Sequence, residues 1–318
     1  MQQEIPEAPP PPHGIHRVFI GADGLRAGWS ALLFVLILTL LIVSAGFLLH
    51  SFVHSHPDLK APLNYLLGLF QNVLEFVLIF IATAVMAAIE HRPIRIYGYA
   101  GSAKLARFLW GIFWGFIAIS FLVGTLWKLR LIAFDGFNLH GPRIWKYAAA
   151  WAVVFFFVGL AEESLLRGYL QYTLTRGLGF WWAALLLSVL FGLLHGHNPG
   201  ESPVGLFSAG AVGLVFCLSL WYTGSLWWAI GFHAAWDWGQ SYFYGTADSG
   251  TTVYGHLFTE HPVGALLWSG GPTGPEGSLL IFPLLVLMAL AMWLWWGRAA
   301  RPQGATAGAS SQPPLPHF

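Results

Sequence analysis

GLAEESLLRGYLQ, residues 159–171, sets two adjacent glutamates, Glu162 and Glu163, and an arginine, Arg167, inside what otherwise reads as a membrane-spanning run. The chain over 145–160 is almost wholly apolar, and apolar residues resume after the arginine. An ionisable side chain near mid-bilayer costs ~2.5–3.5 kcal/mol on insertion scales, so three cost up to roughly 8–10 kcal/mol before any pairing. Glu163 and Arg167 are four apart and share a helix face, which offsets part of that cost. Glu162 points about 100° away from Glu163 on a helix and needs another partner. That unmatched carboxylate is the first pointer to chemistry.

Working outward, the 318 residues are 56% hydrophobic and only 9% charged, with a mean hydropathy of +0.63. Soluble domains carry about 25% charged residues. The fold class that follows is all-α, a polytopic transmembrane bundle, because helices and closed barrels alone can span a bilayer. The apolar runs are far longer than barrel strands of about 9–11 residues. A net charge of +1 leaves no basic field for nucleic acid. The single cysteine, Cys217, excludes an intrachain disulfide and reads as a buried small hydrophobe.

About eight spans are expected, near 29–52, 63–89, 108–126, 145–175, 180–195, 204–222, 226–244 and 278–296. Residues 1–28 read as a disordered lead, 29–144 as N-terminal transmembrane helices and 145–245 as the core whose spans carry the ionisable residues. A loop and the last helix occupy 246–297, and 298–318 form a disordered tail. The core is built from the fourth, fifth and seventh helices. Residues 91–107, 127–144 and 245–277 read as surface loops, and tryptophans at helix ends, Trp228 among them, as an aromatic belt. Gly111-x-x-x-Gly115 and the small residues Gly205, Ala209 and Gly213 allow helices to approach closely. Basic residues weigh toward placing both termini in the cytoplasm, in a plasma membrane of bacterial type.

On the second span, Asn64, Gln71, Asn72 and Glu75 share a face expected to look into the bundle, with Glu75 available to Arg167. Further on, His195 follows Phe191 by one turn, and His233 precedes Asp237 by one turn. His197 points elsewhere, and His50, His54 and His56 border the first loop as solvated residues. A lone histidine at a helix end is usually solvated or satisfied. Glutamate, two histidines and an aspartate in successive spans must instead share a polar interior. Such a set activates water in one of two ways. A carboxylate acts as general base while histidines stabilise the oxyanion and protonate the leaving amine. Otherwise Glu162, His195, His233 and Asp237 hold Zn²⁺, which lowers the pKa of bound water to about 7. Both hydrolyse an amide or ester at membrane depth. The chain has no H-E-x-x-H, G-x-S-G or G-x-G-D motif of other intramembrane hydrolases.

E-E-x-x-x-R (Glu162, Glu163, Arg167), F-x-x-x-H (Phe191, His195) and H-x-x-x-D (His233, Asp237) together resemble the CPBP family. That family holds CAAX prenyl endopeptidases of the Rce1 type and bacteriocin-processing, or Abi, proteins. The resemblance covers about 145–245. It implies a membrane-embedded metalloendopeptidase with a polar cavity, acting on a peptide or protein substrate at the lipid bilayer. Carried over by position, Glu162 activates water and Glu163 orients it or its neighbours. His195 and His233 bind water, oxyanion or metal, and Asp237 supports His233. The Rce1 enzymes carry asparagine at the position of Asp237, so the carboxylate here adds negative charge. Two other readings keep the same cavity without proteolysis. One is a catalytically silent scaffold or immunity protein that binds a partner peptide. The other, a metal or proton transporter, lacks the inverted repeat that such folds show.

Overall fold

Apolar runs bounded by glycine, proline and charge fold as helices at nearly every place where the sequence requires them. The computed structural model describes residues 16–21, 24–55, 65–101 and 103–297. A short helix α1 (His16–Phe19) and paired strands β1 (Ile20–Gly21) and β2 (Gly24–Leu25) lead into α2 (Ala27–Ser55). The expectation of a disordered lead is thereby corrected for this segment. Trp29 Nε1 donates to Val18 O at 2.9 Å and Arg26 Nε to Arg17 O at 2.8 Å, tying it to the first span. Asn64, His56 and the terminal segments 1–15 and 298–318 lie outside the described residues.

Helices α3 (Tyr65–Ile89) and α4 (Lys104–Lys128) follow, then strand β3 (Ile132–Phe137) and α5 (Pro142–Glu163). A π-helical segment, Ser164–Leu170, separates α5 from α6 (Gln171–Leu178). Next come α7 (Phe180–His195), α8 (Pro203–Thr223) and α9 (Trp227–Asp237), which passes into a second π segment, Trp238–Tyr244. Strand β4 (Phe258–Pro262), the short α10 (Leu266–Ser269) and α11 (Ile281–Met292) complete the described chain. Five helices among the described residues are long and apolar enough to cross a membrane, and 180–195 and 281–297 are shorter apolar helices. The fold is an all-α polytopic bundle. The expected fourth span is not one continuous α-helix: its hydrogen bonding changes directly after Glu163.

Two expected loops are ordered instead. Residues 132–137 and 258–262 form an antiparallel pair, β3 with β4, so neither connection is simple surface chain. The glycines that made 245–277 look irregular serve close backbone contact. Gly250 has φ +81° and packs on Gly200, and Gly274 has φ +92° and packs on Ala247. L-residues rarely adopt such φ values, and a side chain there would meet backbone atoms. Within 91–107, Tyr97 is only 1% exposed and packs against Tyr169 and Tyr172, so that connection also reaches into the core. Trp228, expected in an aromatic belt, is buried in the core with Phe232 and Trp296.

The helix that carries His233 is positioned by glycines on its neighbours. Cβ atoms placed at Gly111 and Gly115 of α4 would collide with the backbone at Trp228 and Phe232 of α9. On the opposite side, a Cβ at Gly159 of α5 would lie 3.3 Å from His233 Cβ. Small residues let these backbones approach without voids. Gly115→Val is therefore expected to push α9 off α4 and cost more than about 3 kcal/mol, beyond ordinary overpacking because the clash is with backbone. Chemical unfolding of the detergent-solubilised variant measures it, and an unchanged midpoint would contradict this account of the α4–α9 contact.

Candidate active site

A cavity of about 520 Å³ lies among the inner faces of α3, α5, α7, α8 and α9. Glu162, His195, His233 and Asp237 all line it, with Gln71, Asn72 and Asn198 among the neutral polar groups. The four residues singled out by their spacing are thus brought to one space by three helices, α5, α7 and α9.

Glu163 and Glu162 take different environments, as their positions on one helix require. The Glu163 side chain is fully buried, and its Oε1 accepts from Arg167 Nη1 at 3.0 Å and lies 3.1 Å from His233 Nδ1. The second contact of this carboxylate is the histidine, not a group on the second span. Glu75 is exposed and takes no part in the Arg167 ion pair, which corrects the expectation that it would help neutralise the arginine. The Glu162 side chain is 30% exposed to the cavity, with Oε2 3.6 Å from His233 Nε2. That oxygen accepts no hydrogen bond from any described residue.

Arg167 is buried, and its cation is shared between one carboxylate and two aromatic faces. Its Cζ lies 4.5 Å from the Phe191 ring centroid and 5.6 Å from that of Phe216. Desolvated cation–π contacts of this kind are worth ~2 kcal/mol. The spacing of the F-x-x-x-H motif now has a physical reason. Phe191 covers Arg167 and stands edge-on to His195, 4.6 Å between centroids. Gly213 of α8 makes the room, since a Cβ there would lie 2.6 Å from Arg167 Nη2. The seam of Gly205, Ala209 and Gly213 thus serves a side chain as much as a helix contact.

The two histidines present different nitrogens. His195 Nδ1 lies 2.8 Å from the Phe191 carbonyl oxygen and donates to it, so Nε2 is the nitrogen left for the cavity. His233 donates from Nδ1 to Glu163, and its Nε2 lies 3.5 Å from Asp237 Oδ2 and 3.6 Å from Glu162 Oε2. Phe216 stacks on the His233 ring at 5.4 Å between centroids. His197 is exposed and does not line the cavity.

Sequence reasoning missed a second set of wall residues. Asp248, Ser249, Thr251 and Glu276 line the same cavity from the glycine-rich segment. Asp248 accepts from Gln240 Nε2 and, at 2.9 Å, from Ser241 Oγ. Glu276 accepts from Trp236 Nε1 at 2.7 Å and Ser249 Oγ at 2.6 Å. The one available signal was that acids, Asp248, Glu260 and Glu276, sat in a glycine-rich stretch, which reads equally well as solvated loop. Burial first, and then the charge of Glu276, push the Asp248 carboxyl up to about 8, against the pull of its two donors. A carboxyl raised in the fold binds its proton more tightly there than in the unfolded chain, so its contribution falls as pH rises from about 4 through 8. Asp248→Asn is expected to flatten the loss of thermal stability across that range. A slope identical to the wild type in melts between pH 5 and 8 would contradict it.

A zinc site needs three or four donor atoms about 2.0–2.3 Å from one point. Among the described residues, no three His, Cys, Asp or Glu side chains converge in this way. His233 spends one nitrogen on Glu163 and turns the other to two carboxylates, while His195 is not grouped with them. As arranged, the described residues do not assemble a Zn²⁺ site.

Fold and site together define an integral membrane protein of the all-α class with a carboxylate–histidine centre inside the bundle. Residues 144–239 match the family described as type II CAAX prenyl endopeptidase Rce1-like, and over that segment the chain is similar to it. The family is one of proteases, and all seven motif residues fall inside the matched segment. Comparison with curated proteins gives no match, and comparison with solved structures gives none.

Proposed function

We propose that this chain is an intramembrane endopeptidase that hydrolyses a peptide bond of a membrane-associated substrate, with Glu162 as general base. The observation that carries this reading is the Glu162 carboxylate: open to the cavity, with one oxygen that accepts no hydrogen bond, and flanked by imidazole. Glu162 takes a proton from water, and the oxygen attacks the scissile carbonyl carbon. The proton that Glu162 takes passes through His233 Nε2, 3.6 Å away, to the leaving amine as the C–N bond breaks, and His195, which also lines the cavity, and His233 are the groups that meet the oxyanion. Glu163 holds His233 by its Nδ1, and Asp237 orients the same ring from the Nε2 side. Arg167 balances the buried charge of Glu163 and takes no part in bond making. The prenylated or leader-type nature of the substrate is a finer part of the proposal that this geometry does not require.

Comparative peptidomics of membranes from cells expressing the wild type or Glu162→Ala tests the reading. Cleavage products present only with the wild type are expected, and they would also identify the substrate. Indistinguishable product sets, with both proteins folded at equal level, would overturn it.

A further inference from the structure

His195 and His233 stand on helices that lean on different neighbours: α7 packs chiefly on α8, and α9 on α4 and α5. His195 is moreover the last residue of α7, where a helix frays unless something holds it. What joins the two is a run of hydrogen bonds through the glycine-rich segment. Asn198 N donates to His195 O at 2.9 Å, and Asn198 Nδ2 donates to Ser249 O at 2.9 Å. Ser249 Oγ donates to Glu276 Oε2 at 2.6 Å, and the other carboxylate oxygen, Oε1, accepts from Trp236 Nε1 at 2.7 Å. Trp236 lies on α9 between His233 and Asp237. Backbone braces the run. Gly200 N donates to Gly250 O at 3.2 Å, Gly250 N to Thr273 O at 3.1 Å, and Thr273 Oγ1 to Gly200 O at 3.0 Å. Ser208 Oγ adds a bond from α8 to Glu276 O at 2.8 Å. Through its own atoms Glu276 thus meets α8, α9 and the turn at Ser249.

Resting on the endopeptidase reading above, we propose that Glu276 is a positioning residue, which clasps the end of α7 to α9 and so sets the place of His195 relative to His233. It lies beyond the segment 144–239 that carries the family match, so chain outside that segment completes the site. The clasp works by hydrogen bonding. An amide at this position offers Trp236 the same acceptor and can donate to Ser249 Oγ, whereas a methyl group offers neither. A charge acting through the cavity would be lost equally in both.

Glu276→Ala and Glu276→Gln test this on the full-length protein in nanodiscs, with an internally quenched degenerate octapeptide pool as substrate and amide hydrogen exchange measured on the same samples. Glu276→Ala is expected to lower the maximal rate about 100-fold at an unchanged half-saturating concentration, the scale of a misplacement of roughly 1 Å. Exchange over 196–202 is expected to rise in that variant, while α2, which has no part in the clasp, keeps the wild-type exchange. Glu276→Gln is expected to restore most of the rate and of the protection. Ser249→Ala, which removes one bond and leaves Glu276 in place, is expected to move rate and exchange in the same direction by less, so the test stands even where Glu276→Ala fails to fold. Unchanged exchange over 196–202 in both alanine variants, or a loss as deep in Glu276→Gln as in Glu276→Ala, would overturn the clasp, while cleavage by the wild type leaves the peptidase reading intact. Raised exchange in the alanine variants with no cleavage by the wild type would support the clasp and count against the peptidase reading.

Discussion

Glu162→Gln is expected to reduce peptide cleavage by about 100- to 10,000-fold, the range general-base catalysis supplies, while the protein stays folded. The amide keeps the shape of the side chain but cannot accept the proton of water. Its effect on stability is small for a local reason. Glu162 is partly open to the cavity, its Oε2 accepts no hydrogen bond from the described residues, and its nearest ionisable partner is 3.6 Å away. Cleavage rate and thermal midpoint must therefore separate in this variant. Rates within threefold of the wild type would remove Glu162 from the role of base.

Arg167→Met should behave in the opposite way, with stability lost before any question of chemistry arises. The guanidinium is buried between Glu163, Phe191 and Phe216, and its removal leaves Glu163 ionised with only His233 beside it. Breaking a buried pair from one side costs about 3–5 kcal/mol, because a charge is stranded in a dry site. The double variant Glu163→Gln with Arg167→Met strands none and is expected to recover part of that loss. Unfolding of the four proteins of the cycle in one detergent measures the coupling. Additive losses would mean that the 3.0 Å pair contributes nothing beyond its separate members.

The contrast between these variants reflects how the two adjacent glutamates are used. Their neighbourhood in the chain places them on different helix faces, which the sequence shows directly. Which neighbour each face meets is a tertiary matter. The sequence assigned Arg167 to Glu163 correctly because the pair is local, four residues apart. It also offered Glu75 to the same arginine, and the two do not pair, because a helical face says only that two groups share an interior, not that they touch. His233, seventy residues from Glu163 in the chain, is the real second partner.

The same division holds for the whole molecule. Apolar run length and the scarcity of charge determined the all-α membrane fold, since a bilayer tolerates no unpaired backbone. Motif spacing determined the residues gathered at the cavity, since ionisable groups in spans cannot face lipid. Only the tertiary structure decided what closes that cavity. Asp248 and Glu276 come from a glycine-rich segment whose composition reads as loop, and whose order depends on β3 meeting β4 and on backbone packing at Gly250 and Gly274. Pairing between strands more than a hundred residues apart leaves no periodic trace in either, and a glycine chosen for close contact looks the same in sequence as one chosen for a turn.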